Sequence, residues 1–322
     1  MSPEQLERLR SQLPPFGEAA PSSALLEEFC RFYNIDFAAR YPQLNHSAGT
    51  VRSGAYSLAV HYWHQPNARA NLLLLHGYFD HTGLFGKLID WGLSSNCNVL
   101  IFDLPGHGLS SGEPAVIDDF SDYSRAIKDV LDTVRLPQLP QWVMAQSTGC
   151  AALIDFAGKY AWPFSATVLL APLIRPASWF SVRLAHKVLR PFVDSMRRKF
   201  VVNSSDREFL DFLERDSLQC RTISLRWIGA LSRWLRDLQQ HDLNVGPALI
   251  VQSDTDDTVD WRYNVGFLAS LFPESEVAYL SGAGHQLANE SAEYREDYLQ
   301  RVEEYVGKQG VILSDYSGIE AR

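Results

Sequence analysis

Four short stretches of this chain are apolar at consecutive positions rather than alternate ones: NLLLLHG from Asn71, NVLIFDLPG from Asn98, ATVLLAPL from Ala166 and ALIVQSD from Ala248. A strand with one wet face alternates apolar and polar residues. A strand that is apolar throughout is buried on both faces, as in a parallel sheet covered by helices on each side. The pattern predicts strands over Tyr56–Trp63, Asn71–His76, Asn98–Asp103, Trp142–Ala145, Ala166–Ala171, Ala248–Gln252 and Glu276–Leu280. Helical stretches lie between them, Phe120–Arg135 and Thr148–Tyr160 among them. Strands alternating with helices imply an α/β fold with a mostly parallel central sheet.

One segment breaks the rhythm. From Leu173 to Asn244 no strand pattern is visible, and the apolar residues recur at helical spacing. Trp179, Val182, His186, Leu189 and Val193 fall on one line, with Phe180, Leu184, Val188 and Phe192 beside it. Ligands of open α/β sheets bind beyond the carboxyl ends of the strands, so an insertion leaving that edge covers the site as a cap. The expected organisation is core over 1–172, opening with an N-terminal helical segment, a helical cap over 173–244, and core again over 245–322. Leu25, Leu26, Phe29, Phe32 and Tyr33 are expected to pack a helix of the N-terminal segment on the core.

Composition removes several function classes. Hydrophobic residues make up 46% of the 322, with no low-complexity stretch, which argues for a globular chain. A net charge of -9 argues against nucleic acid as a partner. The N-terminus MSPEQLERLR has no apolar core of a signal peptide, and no apolar run approaches the roughly 18 residues of a membrane span. Cys30, Cys97, Cys150 and Cys220 lie far apart with no CxxC pair, which points to reduced thiols, a cytoplasmic location and no metal site.

The chemistry is concentrated at QWVMAQSTGC, residues 141–150. A strand-to-helix turn that lifts a serine into the open needs small residues two places before and two places after it. Ala145 and Gly149 meet that need around Ser147. Ser147 then stands at a helix N-terminus, where free N–H groups favour a nearby oxyanion; the bland reading is a helix cap. A nucleophilic serine needs a base and an orienting acid, here in the order Ser, then Asp or Glu, then His. Downstream, Asp254, Asp256, Asp257 and Asp260 follow a strand, and His285 stands in a glycine-rich loop after the last one. The oxyanion donors expected are the backbone N–H groups of Thr148, after the serine, and Tyr78, in the loop after an early strand. His76 and His81 read as loop braces, and Asp103 as the brace of the glycine-rich loop DLPGHGLSSGEP.

HGYFDHTGLF, DLPGHGLSSGEP, AQSTG, SDTDDTVD and GAGHQLANE occur in that order. Together, over residues 50 to 308, they resemble the α/β-hydrolase superfamily, and within it the monoacylglycerol lipase and lysophospholipase-like serine hydrolases. The resemblance implies a nucleophile at Ser147, a base at His285 and no cofactor. It also chooses among the aspartates: the acid stands tenth from the proline that opens its strand, which from Pro247 gives Asp256, with Asp254 as second choice. Three residues depart from the family pattern, namely Ala145 for the first glycine of the turn, Gln146 for His or Tyr, and Thr148 for Met.

The implied reaction is hydrolysis of a carboxylic ester, above all of acyl lipids such as monoacylglycerol or lysophospholipid. A thioesterase or small-ester carboxylesterase would use the same three residues, and a non-catalytic binding protein on the same fold is the alternative of a different class. Each buried methylene contributes about 0.8 kcal/mol, so an apolar channel selects by chain length more than by head group. Trp179 and Phe180 are the cap residues expected to meet substrate. Between Arg175 and Lys199 stand seven Lys or Arg and one acid, Asp194. Basic residues interleaved with aromatics suit peripheral contact with an anionic membrane, the bland reading being a solvated cap face.

Overall fold

The computed structural model describes residues 1–18, 23–238, 243 and 245–313. Ten strands occur among them: β1 (Asn45–Ser53), β2 (Tyr56–His64), β3 (Ala70–Leu75), β4 (Cys97–Phe102), β5 (Gln141–Gln146), β6 (Ala166–Leu170), β7 (Ser195–Arg197), β8 (Thr222–Ser224), β9 (Leu249–Ser253) and β10 (Glu276–Leu280). The helices are α1 (Pro3–Gln12), α2 (Ala24–Phe32), α3 (Gly86–Ser94), α4 (Ser121–Thr133), α5 (Thr148–Ala157), α6 (Trp179–Leu189), α7 (Arg207–Arg215), α8 (Leu225–Leu238), α9 (Trp261–Leu271) and α10 (Ala292–Lys308).

Eight strands form one sheet in the order β1-β2-β4-β3-β5-β6-β9-β10. Every neighbouring pair from β4 to β10 is parallel, and only β1–β2 and β2–β4 are antiparallel. The consecutive apolar runs have the expected cause. Leu72 and Leu74 join the core on one face of the sheet, and Leu73 and Leu75 the core on the other. The same division separates Val99 and Ile101 from Leu100 and Phe102. All seven expected strands are present, with ends that differ by a residue or two.

Three strands were not legible in the sequence. β1 is a polar edge strand, NHSAGTVRS, and is held by pairing along its whole length with β2. Its outer edge is closed by the N-terminal segment, where Phe16 donates to Thr50 at 2.9 Å and Thr50 to Pro14 at 2.7 Å. A covered edge cannot template further pairing. β7 and β8 form a separate antiparallel ladder of three residues each inside the segment expected to be purely helical. Three residues are too few for a period of two to register.

The N-terminal helix packs on the core through four of the five expected residues: Phe29 and Tyr33 are buried, and Leu25 and Leu26 pack partly against the same core, while Phe32 is exposed and meets Phe212 instead. Between β6 and β9 the chain forms α6, β7, α7, β8 and α8. α6 stops at Leu189, short of Val193, because Pro191 follows and proline cannot continue a helix. The expected boundary at Asn244 lies outside the described residues.

Candidate active site

The functional side chains stand on loops that leave the carboxyl ends of five strands. Ser147 follows β5, Gly77 and Tyr78 follow β3, Asp103 follows β4, Asp256 follows β9 and His285 follows β10. A parallel sheet aims all these ends the same way, which is why residues far apart in sequence converge.

Ser147 takes φ 51° and ψ -113°, a left-handed value rare for any residue but glycine. Such strain costs roughly 1–3 kcal/mol and persists only where the surroundings enforce it. Here Ser147 N–H donates to Leu170 at 3.0 Å, and its carbonyl accepts from Cys150 at 3.0 Å and Leu173 at 3.2 Å. Gly149 is obligatory, since a Cβ there would meet the carbonyl oxygens of Leu75 at 2.6 Å and His76 at 2.8 Å. Ala145 fits because its methyl joins the buried core beneath the turn.

His285 bridges the serine and an aspartate. Its Nε2 lies 3.0 Å from Ser147 Oγ and its Nδ1 2.8 Å from Asp256 Oδ2. Asp256 accepts three further bonds, from Gln252 Nε2 at 3.1 Å, Thr258 N–H at 2.9 Å and Val259 N–H at 3.2 Å. A carboxylate so surrounded orients the ring with its Nδ1–H toward the acid, leaving the Nε2 lone pair facing the Ser147 hydroxyl. Two of the other candidate aspartates are employed elsewhere. Asp254 accepts from Gly282 N–H at 3.1 Å, and Asp260 caps α9 and pairs with Arg175.

Burial alone would depress the His285 ring, but Asp256, with Asp80 and Asp257 behind it, outweighs that effect and holds the ring above its ordinary value. Burial likewise pushes the Asp256 carboxyl up, and the His285 ring with the Thr258 and Gln252 donors outweighs it, leaving the acid below the usual range.

The loop after β3 lies against the serine: a Cβ on Gly77 would stand 3.3 Å from Ser147 Cβ. Tyr78 is fixed by its hydroxyl, which donates to Ala115 at 2.6 Å, and by stacking on Trp227 at 4.1 Å between centroids. Thr148 opens α5, so its N–H is one of those a helix cannot satisfy internally. The histidine and aspartate braces act as expected. His76 Nε2 accepts from Leu104 N–H at 2.9 Å, and Asp103 accepts from Thr82 at 2.6 Å and Leu109 at 2.7 Å. His81 is tied to Asp216, in the segment between β6 and β9.

The structure does not bring Phe180 to this group. Its ring is 81% exposed and lines a groove on the outer side of α6 and α8 with Arg183, Leu184 and Lys187. A side chain on that line of α6 faces water because the helix seats Trp179 and Val182, not Phe180, on the core. Trp179 is half-buried there and makes no hydrogen bond or ring contact with Ser147, His285 or Asp256. Sequence reasoning missed Gln252, Asp80 and Gln286, whose side chains hold the site loops. Glutamines and a lone aspartate carry no spacing signal.

Residues 66–292 match a family profile described as serine aminopeptidase, S33. Among curated proteins, the monoglyceride lipase of Mus musculus is 26% identical over 271 residues, which span 80% of this chain and 88% of that protein. A phospholipase of Bacillus subtilis is 23% identical over 247 residues, spanning 71% of this chain and 92% of the relative. Among solved structures, a soluble variant of the monoglyceride lipase of Saccharomyces cerevisiae in complex with a substrate analog superposes with a TM-score of 0.70 at 18% identity. That alignment covers 81% of this chain and 94% of the other, and it shows that the two share the α/β-hydrolase fold.

Proposed function

This chain belongs to the family described as serine aminopeptidase, S33, and from that premise we propose that it hydrolyses carboxylic esters of acyl lipids through an acyl-enzyme on Ser147. One observation carries the reading: His285 lies within hydrogen-bond reach of Ser147 on one ring nitrogen and of Asp256 on the other. In this reading His285 Nε2 takes the Ser147 proton as Oγ attacks the ester carbonyl. Asp256 holds the ring and stabilises its cation. The N–H groups of Tyr78 and Thr148 hold the developing oxyanion. The C–O bond to the alcohol breaks, and His285 returns its proton to the leaving oxygen. Water, deprotonated by the same ring, then attacks the acyl-serine; the acyl–Oγ bond breaks, the ring returns the proton to Ser147 Oγ, and the acid is released. No cofactor takes part.

The curated relatives named above, a monoglyceride lipase and a phospholipase, support a lipid ester as the substrate class. A fluorophosphonate probe should label the protein and fail on Ser147→Ala. A series of p-nitrophenyl esters from acetyl to palmitoyl, with monoacylglycerol, lysophosphatidylcholine, an acyl thioester and an aminoacyl anilide, reads out specificity. Fastest turnover on long acyl esters supports the proposal; fastest turnover on the thioester, the anilide or acetyl ester replaces the substrate class.

The segment between β6 and β9 is, in this proposal, a cap whose outer face meets an anionic membrane from the cytoplasmic side. α6 has no buried residue. Its Phe180, Leu184 and Val188 are exposed together with Phe192, and Arg183 and Lys187 stand among them. Apolar side chains beside positive charge suit the boundary of an anionic lipid layer. Trp179, seated on the core side of α6, stays assigned to the substrate side, and Phe180 goes to the lipid. No helix among the described residues is long and apolar enough to cross a membrane. Co-sedimentation with phosphatidylserine vesicles should fall with added salt and with Phe180→Ser. Binding indifferent to both would leave the cap face merely solvated.

A further inference from the structure

Gln146, between the small residue and the serine of the turn, makes no contact with the proposed reacting groups, yet its side chain is buried. It is the first member of a chain of hydrogen bonds that joins three loops. Gln146 Oε1 accepts from Ala288 N–H at 2.7 Å. Gln146 Nε2 donates to Gln286 Oε1 at 2.6 Å, and Gln286 Nε2 donates to Asp80 Oδ1 at 3.0 Å. Asp80 Oδ2 accepts from Gly77 N–H at 3.2 Å. The chain thus runs from the loop that carries His285, past the turn that carries Ser147, to the residue before Tyr78. Asp80 and Gln286 are buried as well.

The direction of every bond follows from its ends. Ala288 and Gly77 contribute backbone N–H groups, which can only donate. An amide side chain passes one donor and one acceptor along, so two glutamines cannot absorb donors from both ends. One member must accept on both sides, and a carboxylate does so. Asp80 fills that place. The amide orientations are then fixed, with Gln146 Oε1 toward Ala288 and Gln286 Oε1 toward Gln146. A half-satisfied buried network is worse than none, so the three residues stand or fall together.

We infer that Asp80, Gln286 and Gln146 are positioning residues that set the Tyr78 amide and the His285 ring in register with Ser147, through one buried carboxylate shared among three side chains. The inference rests on the ester-hydrolase reading above. It explains the glutamine at position 146, where the family resemblance leads one to expect His or Tyr. It also makes a prediction that packing does not: the carboxylate can change places.

Asp80→Asn leaves Gly77 N–H or Gln286 Nε2 facing a donor, and Gln286→Glu sets two carboxylates together. Each should lower kcat on a short p-nitrophenyl ester about 10- to 100-fold, the scale of a small misalignment, with KM little changed. Combining Asp80→Asn with Gln286→Glu moves the carboxylate to position 286. There it accepts from Gln146 and from the new amide at position 80, whose oxygen accepts from Gly77. Every bond is restored, and kcat should return to near the wild-type value. Asp80→Asn with Gln146→Glu leaves Ala288 N–H and the Gln286 amide donating to the new carboxylate at position 146. That restores the bonds from the other end, and this double should also be active. If Asp80→Asn is too unstable to assay, its melting temperature serves in place of kcat and should rise again in both doubles. Losses that merely add in the doubles overturn the inference. Fluorophosphonate labelling separates it from the reading beneath: Ser147→Ala that still labels and turns over sinks the acyl-enzyme on Ser147. A dead Ser147→Ala with no rescue sinks only the hydrogen-bond chain.

Discussion

Two buried histidine–aspartate pairs stand among the described residues, alike in almost everything except what the second ring nitrogen meets. His285 faces Asp256 at 2.8 Å, and His81 faces Asp216 at 2.8 Å. In both pairs burial would depress the ring, and in both the aspartate outweighs it and holds the ring above its ordinary value. Both aspartates lie below theirs. Yet His285 meets the acid through Nδ1 and turns Nε2 to a serine hydroxyl. His81 meets it through Nε2, and its Nδ1 accepts the N–H of Gly83 at 3.2 Å. That nitrogen faces the backbone, and no hydroxyl stands against it to give up a proton. A perturbed His–Asp pair is therefore no mark of catalysis by itself. The second pair is a staple: Tyr33, from the N-terminal segment, donates to Asp216 at 2.6 Å, so His81 and Tyr33 hold one carboxylate between three parts of the chain.

The two pairs should differ most in what the loss of the Asp256 carboxylate does. Asp256→Asn should lower kcat by about 10⁴-fold, because the amide holds the wrong ring tautomer. It also removes what outweighs burial at His285. With His285 as the proposed base, the wild-type rate should rise with pH as the ring loses its proton, on a limb above the ordinary histidine value because the ring value is raised. In Asp256→Asn that limb should move to lower pH; a pH–rate profile whose limb stays put would detach the acid from the base.

The matching change at the other pair should strike stability instead. His81→Ala strands the Asp216 carboxylate in the interior, and breaking a buried pair in this way costs about 3–5 kcal/mol. Urea unfolding reads the loss, while turnover per folded molecule should fall far less than in Asp256→Asn. A raised histidine value stabilises fully below pH 6.5 and fades as pH climbs through the folded value, so the stability gap should narrow under alkaline conditions. The smallest arm is Tyr33→Phe, which removes one hydrogen bond to a charged acceptor, about 1.5–3 kcal/mol. Equal losses of turnover at the two pairs would erase the distinction between them.

Much of this was legible in the sequence. The central strands announce themselves because both faces are covered, leaving no position free to be polar. Ser147 was legible because the turn demands small neighbours, and Gly149 indeed has two carbonyl oxygens in its way. Asp256 was not separable from Asp254 by spacing alone; only the resemblance to the hydrolases chose it, and the geometry at His285 agrees. β1 was missed because an edge strand takes its order from its partner rather than from its own residues. Phe180 was assigned to substrate because a helical repeat reveals which residues share a line, but not which line faces the core.

The layered α/β frame and the turn around Ser147 can be read from the residues alone, because both follow from local rules: consecutive burial and a cramped turn that admits only small neighbours. Which histidine turns a ring nitrogen to the serine hydroxyl, which aspartate stands behind it, and what holds the glutamine before the serine emerge only once the chain is folded. Those depend on contacts between side chains such as Asp80 and Gln286, separated by 206 positions. A hydrogen bond across that distance leaves no period in the sequence, since its geometry is set by where the sheet delivers its loops.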